Sequence, residues 1–326
     1  MKLNRRRALT LVATAAAATA VPGFAIAQQR IFFGIATGGT GGTYYPLGGM
    51  LAQLISNKAV VDGKKITATA EAAGASVANA KLLGNKDIES AFVAADILDA
   101  AYNGKGQFNG APIKNLRALG ALYPETVQLI TRADRGINSF KDLKGKSISS
   151  GSPGSGQYQL LTDLLEVHGL KRTDVKEDLS SFTQAVDKIK DGNLDATLIT
   201  AGVPTAAVTD FAQSHALKVI PLSGPEIATL LKQQPYYTRV QLPANSYKGQ
   251  PAPVETLAVM AVWTTHDAVP DAVAYEVTKA LYENIAIMGQ VHVLGKAISL
   301  STATAVGTAP MHPGSLRYFK EKGIVK

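Results

Sequence analysis

Residues 31–57 read IFFGIATGGTGGTYYPLGGMLAQLISN and contain the pattern on which the fold depends. The apolar run at residues 31–36 predicts a buried strand, and residues 37–43 form a corner rich in glycine and threonine. Behind Pro46, apolar side chains recur at helical spacing, and the first turn of a helix tolerates proline. This arrangement directs the N–H groups of the helix start at whatever lies over the corner, so a carboxylate or phosphate is the expected guest. A tight connection without a ligand explains the stretch equally well.

Two nucleotide-binding motifs fail in this sequence. A dinucleotide fingerprint beginning at Gly39 would end on Tyr44 instead of glycine, and no acidic residue follows at the required offset. A P-loop ending at Ser147 would need glycine where Phe140 stands. We therefore do not expect a nucleotide cofactor, or any other cofactor.

The N-terminus predicts export. Residues 1–27 combine Lys2 and three arginines, an alanine-rich apolar run and an A-x-A site at 25–27, which is typical of a cleaved signal peptide and a periplasmic protein. Export by the general or the twin-arginine route stays open. Removal of four positive charges lowers the net charge from +8 to 8 − 4 = +4, and no basic run is interleaved with aromatic residues, so nucleic acid is not an expected partner. The absence of cysteine excludes disulfides and thiolate chemistry.

The rest of the chain alternates strand-like and helix-like segments, which predicts an α/β protein with mixed, mostly parallel sheets. We expect two lobes. The first comprises residues 28–125 and 262–326, and the second comprises residues 126–261. Hinges are expected where Tyr123-Pro124-Glu125 interrupts two strand-like runs, at 116–122 and 127–131, and at the apolar run 255–265.

Four small-residue corners, at 37–43, 74–76, 150–156 and 200–204, follow predicted strands. Ligands of open α/β sheets bind at this edge. Each helix-dipole contact contributes about 0.3–2 kcal/mol and each hydrogen bond to a charged oxygen about 1.5–3 kcal/mol. A dicarboxylate held between facing corners could therefore reach micromolar affinity without an arginine.

No catalytic or metal site is expected. Ser155 lacks the G-x-S-x-G context of a nucleophile elbow, and the five histidines are scattered without a zinc motif. Asp96 either faces the cleft or caps the next helix. Tyr123 either contacts the ligand or packs in the core.

Many separate segments carry a resemblance to one family. They are GTGGTYYPLGG, GASVAN, FVAAD, AAYNG, LYPETVQLITRADRGINSFKDLKGK, SPGSG, DGNLDATLITAGVPT, PYYTRVQLPA and PMHPGSLRYFKEKGI. Together they resemble the TAXI family, the extracytoplasmic receptors of tripartite ATP-independent periplasmic (TRAP) transporters. The resemblance implies a type II periplasmic binding protein with two lobes and a permease partner in the membrane. It also implies small acids such as glutamate, glutamine or 2-oxoglutarate-like dicarboxylates as ligands.

The resemblance places the ligand contacts in the four corners, to which we add neighbouring corner residues and the two candidates weighed above. The expected ligand-binding residues are Thr40, Gly42, Thr43, Tyr44, Ser76, Asp96, Tyr123, Ser152, Gly154, Ser155, Gly156, Ala201 and Gly202. The chain departs from many relatives at Ala94-Ala95-Asp96, where they have a Gln-Ser pair before the aspartate. The departure favours a ligand with a more apolar or differently placed middle.

The sequence thus predicts a monomeric, non-enzymatic periplasmic receptor that delivers a small organic acid to a TRAP permease. Two alternatives remain: an ABC-type receptor for a small heterocycle, and a periplasmic hydrolase that uses Ser155.

Overall fold

The computed structural model describes residues 30–326, so the predicted signal peptide lies outside the described residues. This part of the chain forms one connected 11-stranded sheet with α-helices on its faces. The strands are β1 (Ile31–Ala36), β2 (Val60–Val61), β3 (Lys64–Glu71), β4 (Ser90–Ala94), β5 (Leu116–Arg132), β6 (Ser147–Ser149), β7 (Lys176–Asp178), β8 (Ala196–Ala201), β9 (Leu217–Ile220), β10 (Tyr237–Leu242) and β11 (Val254–His266).

Helices connect most of these strands, as the alternation in the sequence predicts. They are α1 (Tyr44–Lys58), α2 (Ser76–Asn85), α3 (Ala95–Asn103), α4 (Gln157–Val167), α5 (Phe182–Lys190), α6 (Ala206–Ser214), α7 (Pro225–Gln233), α8 (Asp271–Tyr282), α9 (Ile285–Met288) and α10 (Pro313–Glu321). Among the described residues, no helix is both long enough and apolar enough to cross a membrane.

The sheet is mixed and contains two groups of three parallel strands. Its order is β2-β3-β1-β4-β11-β5-β8-β6-β7, with β10 paired to β11 and β9 paired to β5. Strands β3, β1 and β4 are parallel to one another, and so are β8, β6 and β7. We call the group β1–β4 the first half and the group β6–β8 the second half. The antiparallel pair β5 and β11 joins the two halves.

Strand β5 corrects one prediction. The sequence predicted two strands separated at Tyr123-Pro124-Glu125, but residues 116–132 form one strand of 17 residues. Pro124 is exposed and lies opposite Met260, beside a register shift in β11. A bulge tolerates the missing N–H of proline, so the ladder continues past it. Both joining strands therefore run unbroken between the two halves.

The predicted opening corner is confirmed as strand, turn and helix. Strand β1 ends at Ala36, α1 begins at Tyr44, and Pro46 lies in the first turn of the helix. Asn79 of α2 holds the strand ends in place: its Nδ2 donates to the carbonyl oxygens of Thr37 at 2.9 Å and Phe92 at 2.8 Å. These contacts fix the ends of β1 and β4 where their corners begin.

Candidate functional site

A cavity of about 240 Å³ lies where the strand-to-helix corners of the two halves face each other. All four predicted corners contribute to it, and so do parts of β5, β10 and β11. The lining residues are Gly38, Gly39, Thr40, Gly41, Gly42, Thr43, Tyr44, Ala75, Ser76, Ala94, Asp96, Glu125, Ser152, Ser155, Gly156, Gln157, Leu160, Ser181, Phe182, Thr183, Thr200, Ala201, Tyr237 and Val259. This position, at the carboxyl ends of parallel strands, is the usual one for ligands of such sheets.

The structure brings ten of the thirteen expected ligand-binding residues to the cavity wall. They are Thr40, Gly42, Thr43, Tyr44, Ser76, Asp96, Ser152, Ser155, Gly156 and Ala201. The side chain of Tyr123 lies in the apolar core instead. The carbonyl of Gly154 accepts hydrogen bonds from the Val77 and Ala78 amides, and the Gly202 amide donates to Thr43 Oγ1 at 2.8 Å. These three residues adjoin the cavity without lining it.

Sequence reasoning missed several lining residues, of which Glu125 is the most important. Glu125 was assigned to a break between strands, although an acidic residue inside an apolar run is itself a signal of a functional position. A fifth corner, at residues 181–183, was also missed because the strand before it, β7, is short and charged. A capping box of Ser181 and Gln184 marks the start of α5 and could have revealed this corner.

Helices α1, α4 and α5 begin at the cavity. The N-cap residues of α1 and α4, Thr43 and Gly156, make no side-chain cap hydrogen bond. In α5, the Ser181 hydroxyl accepts from the Gln184 amide, one turn into the helix. Helix starts carry a positive dipole end and N–H groups without an intrahelical acceptor, so the corners at α1 and α4 favour an anionic group nearby.

Two other helix starts are used to hold the halves together. At the start of α2, the Val77 and Ala78 amides donate to Gly154 O of the second half at 2.9 and 3.0 Å. At the start of α6, the Ala207 amide donates to Gly41 O of the first corner at 3.2 Å. The hydrogen bond from Gly202 to Thr43 is a third such contact. The structure thus has the halves in direct contact around the cavity.

Glycines make this close approach possible. A Cβ atom at Gly41 would lie 2.4 Å from Thr183 Oγ1, and one at Gly156 would lie 2.8 Å from the buried Ile97. Both distances are shorter than a carbon atom tolerates. The corners therefore need glycine so that the two halves can meet.

Glu125 is the more deeply buried of the two acidic residues that line the cavity. Its side chain is only 4 % exposed, and its Oε2 accepts a hydrogen bond from the Tyr44 hydroxyl at 2.8 Å. Burial raises the pKa of Glu125 to about 8, although the hydrogen bond from Tyr44 acts in the opposite direction. The nearby carboxyl of Asp96 makes a smaller contribution to this increase. Glu125 is therefore mostly protonated and uncharged at neutral pH.

Asp96 is the second acidic group. Its Oδ2 accepts from the Tyr237 hydroxyl at 2.7 Å, while its enclosed Oδ1 has no partner among the described residues. Burial raises the pKa of Asp96 in spite of the hydrogen bond from Tyr237. Asp96 faces the cavity from the first turn of α3. The N-cap residue of this helix is Ala94, without a side-chain cap hydrogen bond, so the alternative that Asp96 caps the helix is wrong.

The remaining polar groups of the wall are hydroxyls and backbone amides. The hydroxyl oxygens of Ser155 and Thr200 are buried and have no hydrogen-bond partner in the described part of the chain. Among the described residues, none of those that line the cavity is lysine, arginine or histidine. The hydroxyl of Ser155 therefore has no imidazole base beside it in the cavity. Residues 30–326 contain no cluster of three side chains able to hold a metal ion.

Comparisons with known proteins agree with this geometry. A profile described as the NMT1-like family matches residues 35–323. The periplasmic binding protein BugD shares 13 % identity with a TM-score of 0.56, over 91 % of this chain and 94 % of that one. A protein of Bordetella bronchiseptica RB50 shares 16 % identity with a TM-score of 0.54, over 90 % and 98 % of the two chains.

A third structure comes from work on glutathione import by GshT in Streptococcus mutans. It shares 14 % identity with a TM-score of 0.50, over 83 % of this chain and 95 % of that one. At such identities the likeness shows the fold, and it confirms the predicted type II periplasmic binding protein, a fold with two lobes. BugD is named as a periplasmic binding protein, in line with the receptor, rather than an enzyme, that the sequence predicts for this chain.

The buried carboxyl of Glu125 makes stability depend on pH. Because its pKa is higher in the folded protein than the ordinary value near 4.5, the folded state loses stability as pH rises from about 5 to 8. Glutamine keeps an acceptor for Tyr44 but cannot ionise. We expect the difference in the free energy of unfolding, Glu125→Gln minus wild type, to increase with pH by at most about 1.4 kcal/mol per unit over this range. The increase should level off above pH 8.

Urea unfolding at half-unit pH intervals measures this difference. Glu166→Gln removes an exposed carboxyl from α4 and controls for the loss of one negative charge. A constant difference between Glu125→Gln and the wild type from pH 5 to 9 would show that Glu125 has an ordinary pKa.

Proposed function

The chain belongs to the NMT1-like family, and from that premise we propose that it is a periplasmic receptor that captures a small organic acid between two lobes. The observation that carries the proposal is the cavity where the corners of both halves meet. The proposed ligand is a dicarboxylate or a glutamate-like acid. The proposed location rests on the signal peptide that the sequence predicts at residues 1–27.

The proposed lobes are residues 28–125 with 262–326, and residues 126–261. Strands β5 and β11 support this division, because β11 pairs with β4 of the first half, β5 pairs with β8 of the second half, and the two strands pair with each other. Their middle, beside Pro124 and the register shift of β11, is the proposed hinge. Closure of two lobes about such strands is a common mode of ligand capture.

The size and chemistry of the cavity support a small acid. A cavity volume of about 240 Å³ has room for several water molecules and therefore for a small acid. Helix starts α1 and α4 and the Ser155 hydroxyl suit carboxylate oxygens. Between them lie apolar groups, including Ala94, Leu160 and Val259. Ala94 belongs to the departure from the family pattern, so an aliphatic middle is the expected shape.

For the partner, we propose a TRAP permease that recognises the closed, monomeric receptor. The support is the resemblance of many sequence segments to the TAXI family. An ABC-type receptor for a small heterocycle is the second candidate, because GshT, which shares the fold, is described together with an ABC importer. A neighbouring gene for an ATPase favours the second candidate, and one for a large permease favours the first.

A thermal-shift screen tests the ligand class. At a concentration 100 times Kd, a bound acid stabilises the protein by about 2.7 kcal/mol, which corresponds to a rise in Tm of several degrees. We expect such a rise with glutamate or 2-oxoglutarate and none with their diester analogues. Stabilisation by heterocycles alone, with no response to any acid, would contradict the proposed ligand.

A single methyl group should hinder closure. The Cβ of Gly156→Ala would lie 2.8 Å from Ile97 of the other lobe, and Ile97 is buried and cannot retreat. Overpacking of this kind costs about 1–3 kcal/mol, so we expect Kd for the acid to rise at least about fivefold. Gly49→Ala on α1, where an added Cβ meets nothing within 4 Å, is the matched control.

Isothermal titration calorimetry gives both Kd values, and small-angle scattering reports closure. We expect Gly156→Ala to remain more extended than Gly49→Ala when ligand is present. Equal affinity and equal compaction of the two variants would show that capture does not require the lobes to meet at Gly156.

A further inference from the structure

The carboxyl of Glu125 occupies an unusual position for a protein that takes up acids. It lines the cavity, and its side chain is almost fully buried. No basic side chain of residues 30–326 lines the cavity beside it. If ionised, it would repel an anionic ligand across a medium of low dielectric constant. The cavity can therefore hold both this carboxyl and an anionic ligand only if the repulsion between them is avoided.

The groups that face Glu125 come from several packed elements, and none of them is basic. Tyr44 of α1 donates to Oε2 at 2.8 Å. Asp96 of α3 and Tyr237 of β10 lie close enough to interact with it electrostatically, as does Tyr123 of the same strand. Ser76 of α2 faces the Tyr44 hydroxyl, and Val259 of β11 pairs with Glu125 through the backbone.

The hydrogen-bond pattern assigns a place for a proton. Because Tyr44 uses its hydroxyl hydrogen on Oε2, that oxygen acts as the acceptor. The other oxygen, Oε1, has no hydrogen-bond partner in the described part of the chain, while the residue lines the cavity. A protonated Glu125 thus has an O–H donor available to a ligand, and a carboxylic acid bonds strongly to a carboxylate oxygen.

We propose that Glu125 binds the ligand as a neutral carboxylic acid, donating the hydrogen on Oε1 to a carboxylate oxygen of the solute, so that capture of an acid requires this proton. No covalent bond forms or breaks, and the proton remains on Glu125. The inference rests on the proposed function and makes Glu125 a specificity-determining residue. The neutral Glu125 favours a carboxylate as the ligand group that contacts it. An ammonium group is disfavoured at this position, because it would require the ionised form of Glu125.

The proposal gives the direction of a pH effect. The pKa of Glu125 is about 8 without ligand, and a bound anion raises it further. Affinity for an anion should be constant below pH 7 and should fall about tenfold per pH unit above pH 8. In that upper range, binding of one ligand should take up one proton. Burial keeps the pKa of Tyr44 and Tyr237 well above 10, so these hydroxyls stay neutral below pH 9.5.

Isothermal titration calorimetry with 2-oxoglutarate and with glutamate, from pH 6.5 to 9.5 in buffers of different ionisation enthalpy, tests the proposal. We expect Kd of the wild type to rise at least tenfold between pH 7 and 9.5, with proton uptake approaching one at pH 9. Glu125→Gln retains a hydrogen donor and should bind within about threefold of the wild type at pH 7, without the pH dependence. Asp96→Asn, at the other cavity carboxyl, should keep the pH dependence, with an onset at somewhat lower pH because Asp96 no longer raises the pKa of Glu125.

Three results would overturn the proposal: affinity that is constant or rises with pH, loss of binding in a folded Glu125→Gln, or a pH dependence that disappears in Asp96→Asn instead. The second result would mean that the ligand pairs with an ionised Glu125. Absence of binding by both acids, in the wild type and in Glu125→Gln at pH 6.5, would instead overturn the proposed function, and this inference with it. Circular dichroism verifies that each variant is folded.

Discussion

The hydrogen bond from Tyr44 to Glu125 is the contact on which the site depends. It joins the start of α1 to the middle of β5, the strand that runs between the two halves. In the described part of the chain, no lysine, arginine or histidine lines the cavity beside Glu125. This buried carboxyl is therefore kept uncharged by protonation, and not balanced by an ion pair. The cavity is therefore nearly neutral at physiological pH, apart from Asp96. Although two acidic side chains line the cavity, a nearly uncharged wall beside helix starts is a favourable environment for an anion.

The second constraint is how closely the halves approach. The carbonyl oxygens of Gly154 and Gly41 accept hydrogen bonds from the first turns of α2 and α6 across the cavity. The closed arrangement therefore satisfies backbone N–H groups that would otherwise face water. Such contacts alone are individually weak. In the proposed receptor, a ligand would add its own contacts to both lobes and so shift the population toward closure. The same glycines that permit the approach make it sensitive to a single methyl group.

Much of the fold could be predicted from the sequence, because it follows from local patterns. Apolar runs, small-residue corners and helical spacing marked β1, α1 and the four corners, and most expected ligand residues do line the cavity. Glu125 was missed because proline suggested a break in β5, whereas the exposed ring of Pro124 and a shift in β11 preserve the strand. The roles of Gly154 and Gly202 depend on contacts between distant segments, which no local pattern reveals.

The carbon-13 resonance of the Glu125 side-chain carboxyl, assigned by comparison with Glu125→Gln and followed by NMR from pH 5 to 10, tests the central claim most directly. The account predicts a titration midpoint near pH 8 without ligand and a higher midpoint when the cavity holds a carboxylate. A midpoint near the ordinary value of about 4.5, or one that falls when the acid binds, would contradict a protonated Glu125 at the centre of the site.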